Sequence, residues 1–440
     1  MIGSDVFLTE EERQFAEECG AFIKRLVTPD FLRQLDRNEI PYPTEFIRRM
    51  GEAGYLGVNV PQEHGGAGLR ILHDALVSEL TGYYGTAALA CARTFTAHIG
   101  YVLSRYGSRV IHERYLRPML KGTAIACQGM TEPEAGSDLA AIRTRLTRDG
   151  TGWRLNGQKR FVDGAQTAHF MLAAARLGDH EDPRQDVVAV VVDTSDPGFL
   201  IREVQADWHG FRGMGSAWVE FRNVRVEPEQ VVAEPGQAWQ LFMEELLVER
   251  AVMARAQLGQ ARRALEIATN YARHRKTFGV PLAAHQDIAF RLARAATDLD
   301  AAYLLDTRAL RLLDQGVGRG ADMEVAMAKY FATEHAWRVA DEALQILGGM
   351  GYTTKYPVER IQRDTRAARI TAGSSEIMQL VIARHVLRRL ADERFDGRLV
   401  GRELEGSPVW PEWGAAPLPF HPGEATWLPT VEWKRSDPHR

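Results

Sequence analysis

Glu249 has a setting that asks for an explanation. It lies in LLVERAVMA, on a helical stripe that reads Phe242, Leu246, Glu249, Met253, Ala256. Its neighbours at −3, +3 and +4 are Leu246, Val252 and Met253, and at −4 stands another acid, Glu245. No cation is spaced to pair with Glu249 on the helix. A carboxylate buried without a partner is costly and holds its proton to higher pH. Such a group suits abstraction of a weakly acidic proton. The plainer account is a Glu at the edge of a bundle, or one paired across helices.

Residues 367–380, AARITAGSSEIMQL, carry the second feature. A tight turn of small residues (Thr371, Ala372, Gly373) runs into Ser374-Ser375-Glu376 and an apolar helical pattern. A helix opened this way aims free backbone N–H groups at whatever lies in front, commonly an anion. The turn holds no acid and supplies no base. Glu376, in the first turn, suits the helix N-terminus.

Three further stretches could bind a ligand, none decisively alone. TEPEAGSD (131–138) follows the apolar run AIACQGM and sets Thr131, Gly136 and Ser137 where backbone can approach a flat polar molecule. RKTFG (275–279), followed by His285-Gln286, ends a long helix, where cations compensate the dipole in any case. QILGGMGY (345–352) closes a helix on a glycine pair, an ordinary cap or a close approach to a ligand.

The elements that must position these residues change texture along the chain. Over 1–127 the pattern is helical, with Thr9 and acids opening LTEEERQFAEECGAFIKRLV and VPQEHGGAGL (60–69) as a glycine-rich loop. Over 128–240 the period becomes two. Asn156-Gly157 in GWRLNGQKRFVDG reads as a type I′ hairpin turn, and DVVAVVVDT, FLIREV and WVEFRNVRVE read as strands of an antiparallel sheet or small barrel. Over 241–395 long helices return. The segment 396–440, with seven prolines and four of the nine tryptophans, is expected to lie extended against the body or a neighbouring subunit.

Composition bounds the rest. A formal net charge of −4 over 440 residues gives no electrostatic case for nucleic acid or an anionic membrane. Cys19, Cys91 and Cys127 form no CxxC and read as reduced thiols. No histidine spacing suggests a metal, and no apolar stretch approaches the ~18 residues of a membrane span. The acidic start MIGSDVFLTEEERQF lacks the marks of a targeting peptide. A soluble cytoplasmic enzyme is the expectation.

In order and spacing, LTEEERQF, VPQEHGGAGL, TEPEAGSD, NGQKRFV, RKTFGVPLAAHQ, QILGGMGY, YPVERIQRD and ITAGSSEIMQLVIARHVL resemble the acyl-CoA dehydrogenase family over about residues 8–395. The resemblance implies an α+β fold with an N-terminal helical domain, a central antiparallel β-domain and a C-terminal four-helix bundle, usually as a homotetramer, with a homodimer as the alternative. It implies FAD between the β-domain and the C-terminal helices. Gln128, Met130, Thr131, Gly136 and Ser137 would line the flavin, with Phe161, Val162 and Asp163 flanking the ring. Arg275, Thr277, Phe278 and Gln286 would reach the FAD of a neighbouring subunit, and Gln345, Gly348 and Gly349 its adenosine part. Ser374 and Glu376 resemble further FAD contacts. Ser137, Arg250 and Gly373 resemble substrate contacts.

Many members carry the catalytic Glu at the position of Ala372. Members similar to isovaleryl-CoA dehydrogenase carry it on the bundle helix, just before an arginine, and have alanine in the turn. Glu249-Arg250 and Ala372-Gly373-Ser374-Ser375-Glu376 match at both ends. The implied reaction is α,β-dehydrogenation of an acyl thioester, on CoA or a carrier protein, with electron-transfer flavoprotein as acceptor. The alternative on the same scaffold is a flavin-dependent monooxygenase or oxidase. Two positions depart from the pattern. Asp163 stands where the family has Thr near flavin N5, and Thr371 replaces the Gly that admits a branched acyl chain.

Overall fold

The structure, a computed structural model, describes residues 8–178, 180–205 and 207–391. The 396–440 segment discussed above lies outside the described residues. The chain divides into a unit up to Gln379 and a second from Leu380.

Helices build the first third: α1 (Glu10–Leu26), α2 (Pro29–Asp36), α3 (Thr44–Glu52), α4 (Ile71–Tyr84), α5 (Ala87–Tyr106), α6 (Arg109–Ile111) and α7 (Arg117–Leu120). Thr9 caps α1 as its sequence foretold, and Glu12 bonds back to the Thr9 N–H to complete a capping box. The same Glu12 carboxylate receives Arg70 at 2.8 Å and Arg311 at 2.6 Å, tying α1 to the C-terminal bundle.

Eight strands follow: β1 (Ala126–Gly129), β2 (Arg145–Asp149), β3 (Gly152–Val162), β4 (Phe170–Arg176), β5 (Val187–Asp193), β6 (Phe199–Val204), β7 (Ala217–Val226) and β8 (Val231–Ala233). They form one sheet in the order β6-β7-β3-β2-β4-β5-β8, with β1 also on β4. Most pairs are antiparallel, as expected. The departures are β1 and β2, which both run parallel to β4.

Asn156-Gly157 is not a hairpin turn. β3 runs straight through it, with a register shift against β7 between Leu155 and Gly157. Gly157 sits at φ 144°, and a Cβ there would overlap Thr144 on the neighbouring segment. The glycine therefore serves a bulge and a close backbone approach. The hairpin lies earlier, where Gly150 and Thr151 join Asp149 to Gly152.

α8 (Ala238–His274) is 37 residues long. β9 (Lys276–Thr277) and β10 (Val280–Pro281) make a small hairpin at its end. Then come α9 (Gln286–Asp314), α10 (Asp322–Leu347), α11 (Val358–Ala368) and α12 (Ser375–Ala391). Leu72, Leu76, Val248, Val252, Leu310 and Val325 are buried in one cluster that joins α4, α8, α9 and α10. Fully burying such a side chain contributes about 1.5–3 kcal/mol. Gly82 of α4 and Gly259 of α8 each lie so near the other helix's backbone that a Cβ would strike a carbonyl oxygen, so this crossing demands glycine on both sides.

Candidate active site

Glu249 faces inward from α8 and is 4% exposed. Its carboxyl makes no hydrogen bond or ion pair among the described residues. Burial pushes its pKa up to about 7, against the opposing charges of Arg250 and Lys329 and with the charge of Asp163 adding to the rise. Asp163 keeps part of its surface open while being deeply enclosed. Burial pushes it to about 7 also, with the Ser216 hydroxyl opposing. Two carboxyls of raised pKa thus stand on α8 and just past the end of β3, the charge of Asp163 being felt at Glu249.

The turn 371–374 is held against α8 and α10 by two cations. Ala372 and Gly373 both adopt left-handed backbone, at φ 52° and 93°. The Arg250 Nε donates to the Ala372 carbonyl at 2.9 Å, and the buried Lys329 Nζ donates to the Gly373 carbonyl at 2.6 Å. The Thr371 hydroxyl meets the Met253 sulfur at 3.5 Å. With both carbonyls engaged, the N–H groups of Gly373 and Ser374 are without protein acceptors among the described residues. Ser374 accepts from the Ile377 N–H at 3.4 Å, and Ser375 donates to Glu334 at 2.6 Å, so the hydroxyls brace the helix start. Glu376 is exposed, and the Ser374 hydroxyl holds its carboxyl below the ordinary range.

The β-domain contributes a wall. A buried ion pair, Lys159 to Glu132 at 2.8 Å, anchors the 130–144 loop. Lys159 also donates to the Met130 carbonyl at 3.0 Å, Glu132 accepts the Thr144 N–H at 3.0 Å, and the Arg160 N–H donates to the Thr131 carbonyl at 2.9 Å. Gly136 and Ser137 are exposed at the loop's crest. Phe161, at φ 57°, turns its ring outward, edge-on to Trp208 with centroids 5.9 Å apart. Val162 does not flank that space with its side chain: the register shift between Lys159 and Val162 sends it into the sheet core.

The remaining expected residues gather elsewhere. Arg275, Phe278, Gln286, Gln345, Gly348 and Gly349 are exposed, and Thr277 is half-buried, bonded to His285 at 3.1 Å. Their helix ends share one apolar cluster, so they occupy one end of the bundle, far along α8 from Glu249. Phe278 is 97% exposed at the tip of the β9–β10 hairpin.

These residues fit FAD. The Trp208 indole nitrogen, beside the Phe161 ring on the β-domain wall, is buried without an acceptor, where a polar-edged ring would meet it. The sequence did not single out Lys329, Lys159 or Glu132. A signal for Lys329 existed: it is a lone charge in an apolar helical stripe, with Ala326 at −3, Ala332 at +3 and Thr333 at +4.

A helical domain, a β-wall and a helical bundle around a buried carboxyl are the frame of a flavin-dependent oxidoreductase. The sequence matches the acyl-CoA dehydrogenase N-terminal domain over residues 9–123, the middle domain over 127–224 and the C-terminal domain over 236–387. The chain belongs to the acyl-CoA dehydrogenase family. It is 34% identical to the mitochondrial short-chain specific acyl-CoA dehydrogenase of Mus musculus over 388 residues, covering 88% of this chain and 92% of that protein. Its fold is similar to butyryl-CoA dehydrogenase from Megasphaera elsdenii, with a TM-score of 0.81 and 28% identity over 86% of this chain and 99% of that one. It is also similar to glutaryl-coenzyme A dehydrogenase in its glutaryl-CoA complex, with a TM-score of 0.81 and 29% identity over 86% and 96% of the two chains.

Proposed function

We propose that this chain dehydrogenates an acyl thioester between Cα and Cβ, with Glu249 as the base. The observation that carries the reading is a buried, unpartnered carboxyl beside a turn whose own residue, Ala372, has no acid. The relatives named above, which act on CoA thioesters by their names, support the substrate class. The turn lacking an acid, with the acid on α8 instead, supports the isovaleryl-CoA dehydrogenase-like arrangement.

Glu249 takes the Cα proton onto its carboxylate. Its raised pKa makes it a stronger base than an ordinary glutamate, and its burial keeps bulk water from it. The N–H groups of Gly373 and Ser374 receive the thioester oxygen as charge builds on it. Arg250 and Lys329 fix that turn from behind. FAD, when bound, supplies the acceptor for the hydride that leaves Cβ. Thr131, Ser137 and Phe161 would hold its ring, and Arg275, Thr277, Phe278, Gln286, Gln345, Gly348 and Gly349 the FAD of a neighbouring copy in a homo-oligomer. Electron-transfer flavoprotein would then reoxidise the enzyme. An oxygen-using reaction leaves Glu249 without work.

The test is anaerobic bleaching of the flavin by a panel of acyl-CoA and acyl-carrier thioesters, with Glu249→Gln beside the wild type. Bleaching by one thioester class, lost in the variant while FAD stays bound, is the expected result. Bleaching that survives the substitution moves the base elsewhere, first to Asp163. Absence of bleaching in wild type that holds FAD overturns the dehydrogenase reading.

A further inference from the structure

One helical turn before Glu249, Glu245 is buried more completely than the base, at 1% exposed against 4%. Neither of its carboxyl oxygens has a hydrogen-bond partner among the described residues. The Gln128 side chain, from β1, faces it without closing a hydrogen bond, and the Gln128 amide nitrogen is itself buried and without an acceptor. Burial holds the Glu245 carboxyl well above the ordinary range, with the charge of Glu249 adding to the rise and Gln128 opposing it. Its helical neighbours at −4 and −3, Leu241 and Phe242, are buried in an apolar cluster against which Tyr101 and Met130 pack.

Leaving buried polar groups unmatched is costly, and proton abstraction by Glu249 requires neither of these two. Their position is also informative. The 371–374 turn meets α8 at Arg250 and Met253, so Glu245 lies on the other side of Glu249, about 6 Å along the helix. A group there would contact a part of the acyl chain remote from the thioester oxygen. The pair offers carboxyl oxygens that accept and an amide N–H that donates. An ammonium group would answer only the first; a hydroxyl answers both.

We propose that Glu245 and Gln128 form a second polar subsite in the acyl crevice, which receives the hydroxyl of a hydroxylated acyl thioester. The hydroxyl donates to a Glu245 oxygen and accepts from Gln128 Nε2. This rests on the dehydrogenase reading, and it makes the enzyme selective for a polar acyl chain where a plain one leaves two buried groups unmatched.

The experiment measures binding to FAD-loaded Glu249→Gln protein by calorimetry. The ligands are thioesters of one chain length in which a hydroxyl is walked along the acyl chain, each set against its plain counterpart. One hydroxyl position should bind about tenfold tighter than the plain chain or better. That preference should vanish when Glu245→Leu or Gln128→Leu is added, and survive in part with Glu245→Gln. Bound flavin and melting temperature are recorded for each variant. If Glu245→Leu does not fold, Gln128→Leu, outside α8, carries the comparison. Equal affinity for hydroxylated and plain chains, or a preference indifferent to both leucine variants, overturns the subsite. Bleaching of wild-type flavin by the plain thioesters, run alongside, separates that outcome from failure of the dehydrogenase reading, in which no thioester bleaches.

Discussion

Glu249 and Lys329 are the same kind of exception, each a charged side chain set in an apolar helical stripe and buried in the fold. Glu249 was legible because its two neighbouring turns lie within nine residues of sequence. Lys329 acts through a carbonyl 44 positions away, a contact that helical spacing does not encode. Their consequences differ. If Glu249 is the base, its pKa of about 7 leaves it competent only when deprotonated, so kcat/KM should rise as pH climbs through about 7, and that limb should move or vanish in Glu249→Asp. Lys329 is costly to bury: burial, together with the charge of Arg250, pulls its pKa down to about 7. Lys329→Met should therefore leave the melting temperature close to wild type while kcat/KM falls about tenfold or more, because the Gly373 carbonyl loses its anchor. A collapse of stability without loss of turnover in the surviving protein would contradict this.

At the level of elements, long helices were readable from their period, and the strands from theirs. What the period could not give was pairing. Asn156-Gly157 has the residues of a tight turn, but β3 passes through it because Thr144 lies too near for any side chain at 157. Gly157→Ala should cost about 1–3 kcal/mol, through overlap and strained backbone, measured by chemical denaturation. The hairpin forms instead at Gly150-Thr151, with Gly150 at φ 60° in the first turn position. For α1 the local signal sufficed, since Thr9 and Glu12 complete a box within four residues; the arginines that also meet Glu12 come from far along the chain. Burial alone would raise the Glu12 carboxyl, but the Arg311 hydrogen bonds, the Thr9 N–H and the charges of Arg311 and Arg70 outweigh it and bring it to about 2. A depressed folded pKa gives stability that is full above the unfolded value of 4.5 and is lost as pH falls toward about 2. Glu12→Gln should flatten that acid limb and lower stability at neutral pH by about 1–2 kcal/mol.

For the whole molecule, the order of domains was legible because each has its own texture, and the family resemblance assigned roles to residues that nothing local would have joined. Composition could not show that the expected FAD contacts fall into two groups, one along the β-domain and the start of α12 and one beyond the C-terminal end of α8. Binding of FAD at 100 times its Kd should raise unfolding free energy by about 2.7 kcal/mol, read as a rise in melting temperature on adding FAD to stripped protein. Phe278→Asp, at an exposed tip, should lower FAD retention and assembly in sedimentation while leaving the β-domain intact.

The length of α8 has a genetic corollary. Glu249 and Arg275 stand 26 residues apart on and just beyond that helix, about 39 Å at 1.5 Å per residue, farther than one dinucleotide stretches. If each site draws its base from one copy and its Arg275 from another, two defective alleles should rescue each other. Chains carrying Glu249→Gln and chains carrying Arg275→Ala, co-expressed, would form mixed assemblies in which one site unites the sound end of each, and activity should reappear that neither strain shows alone.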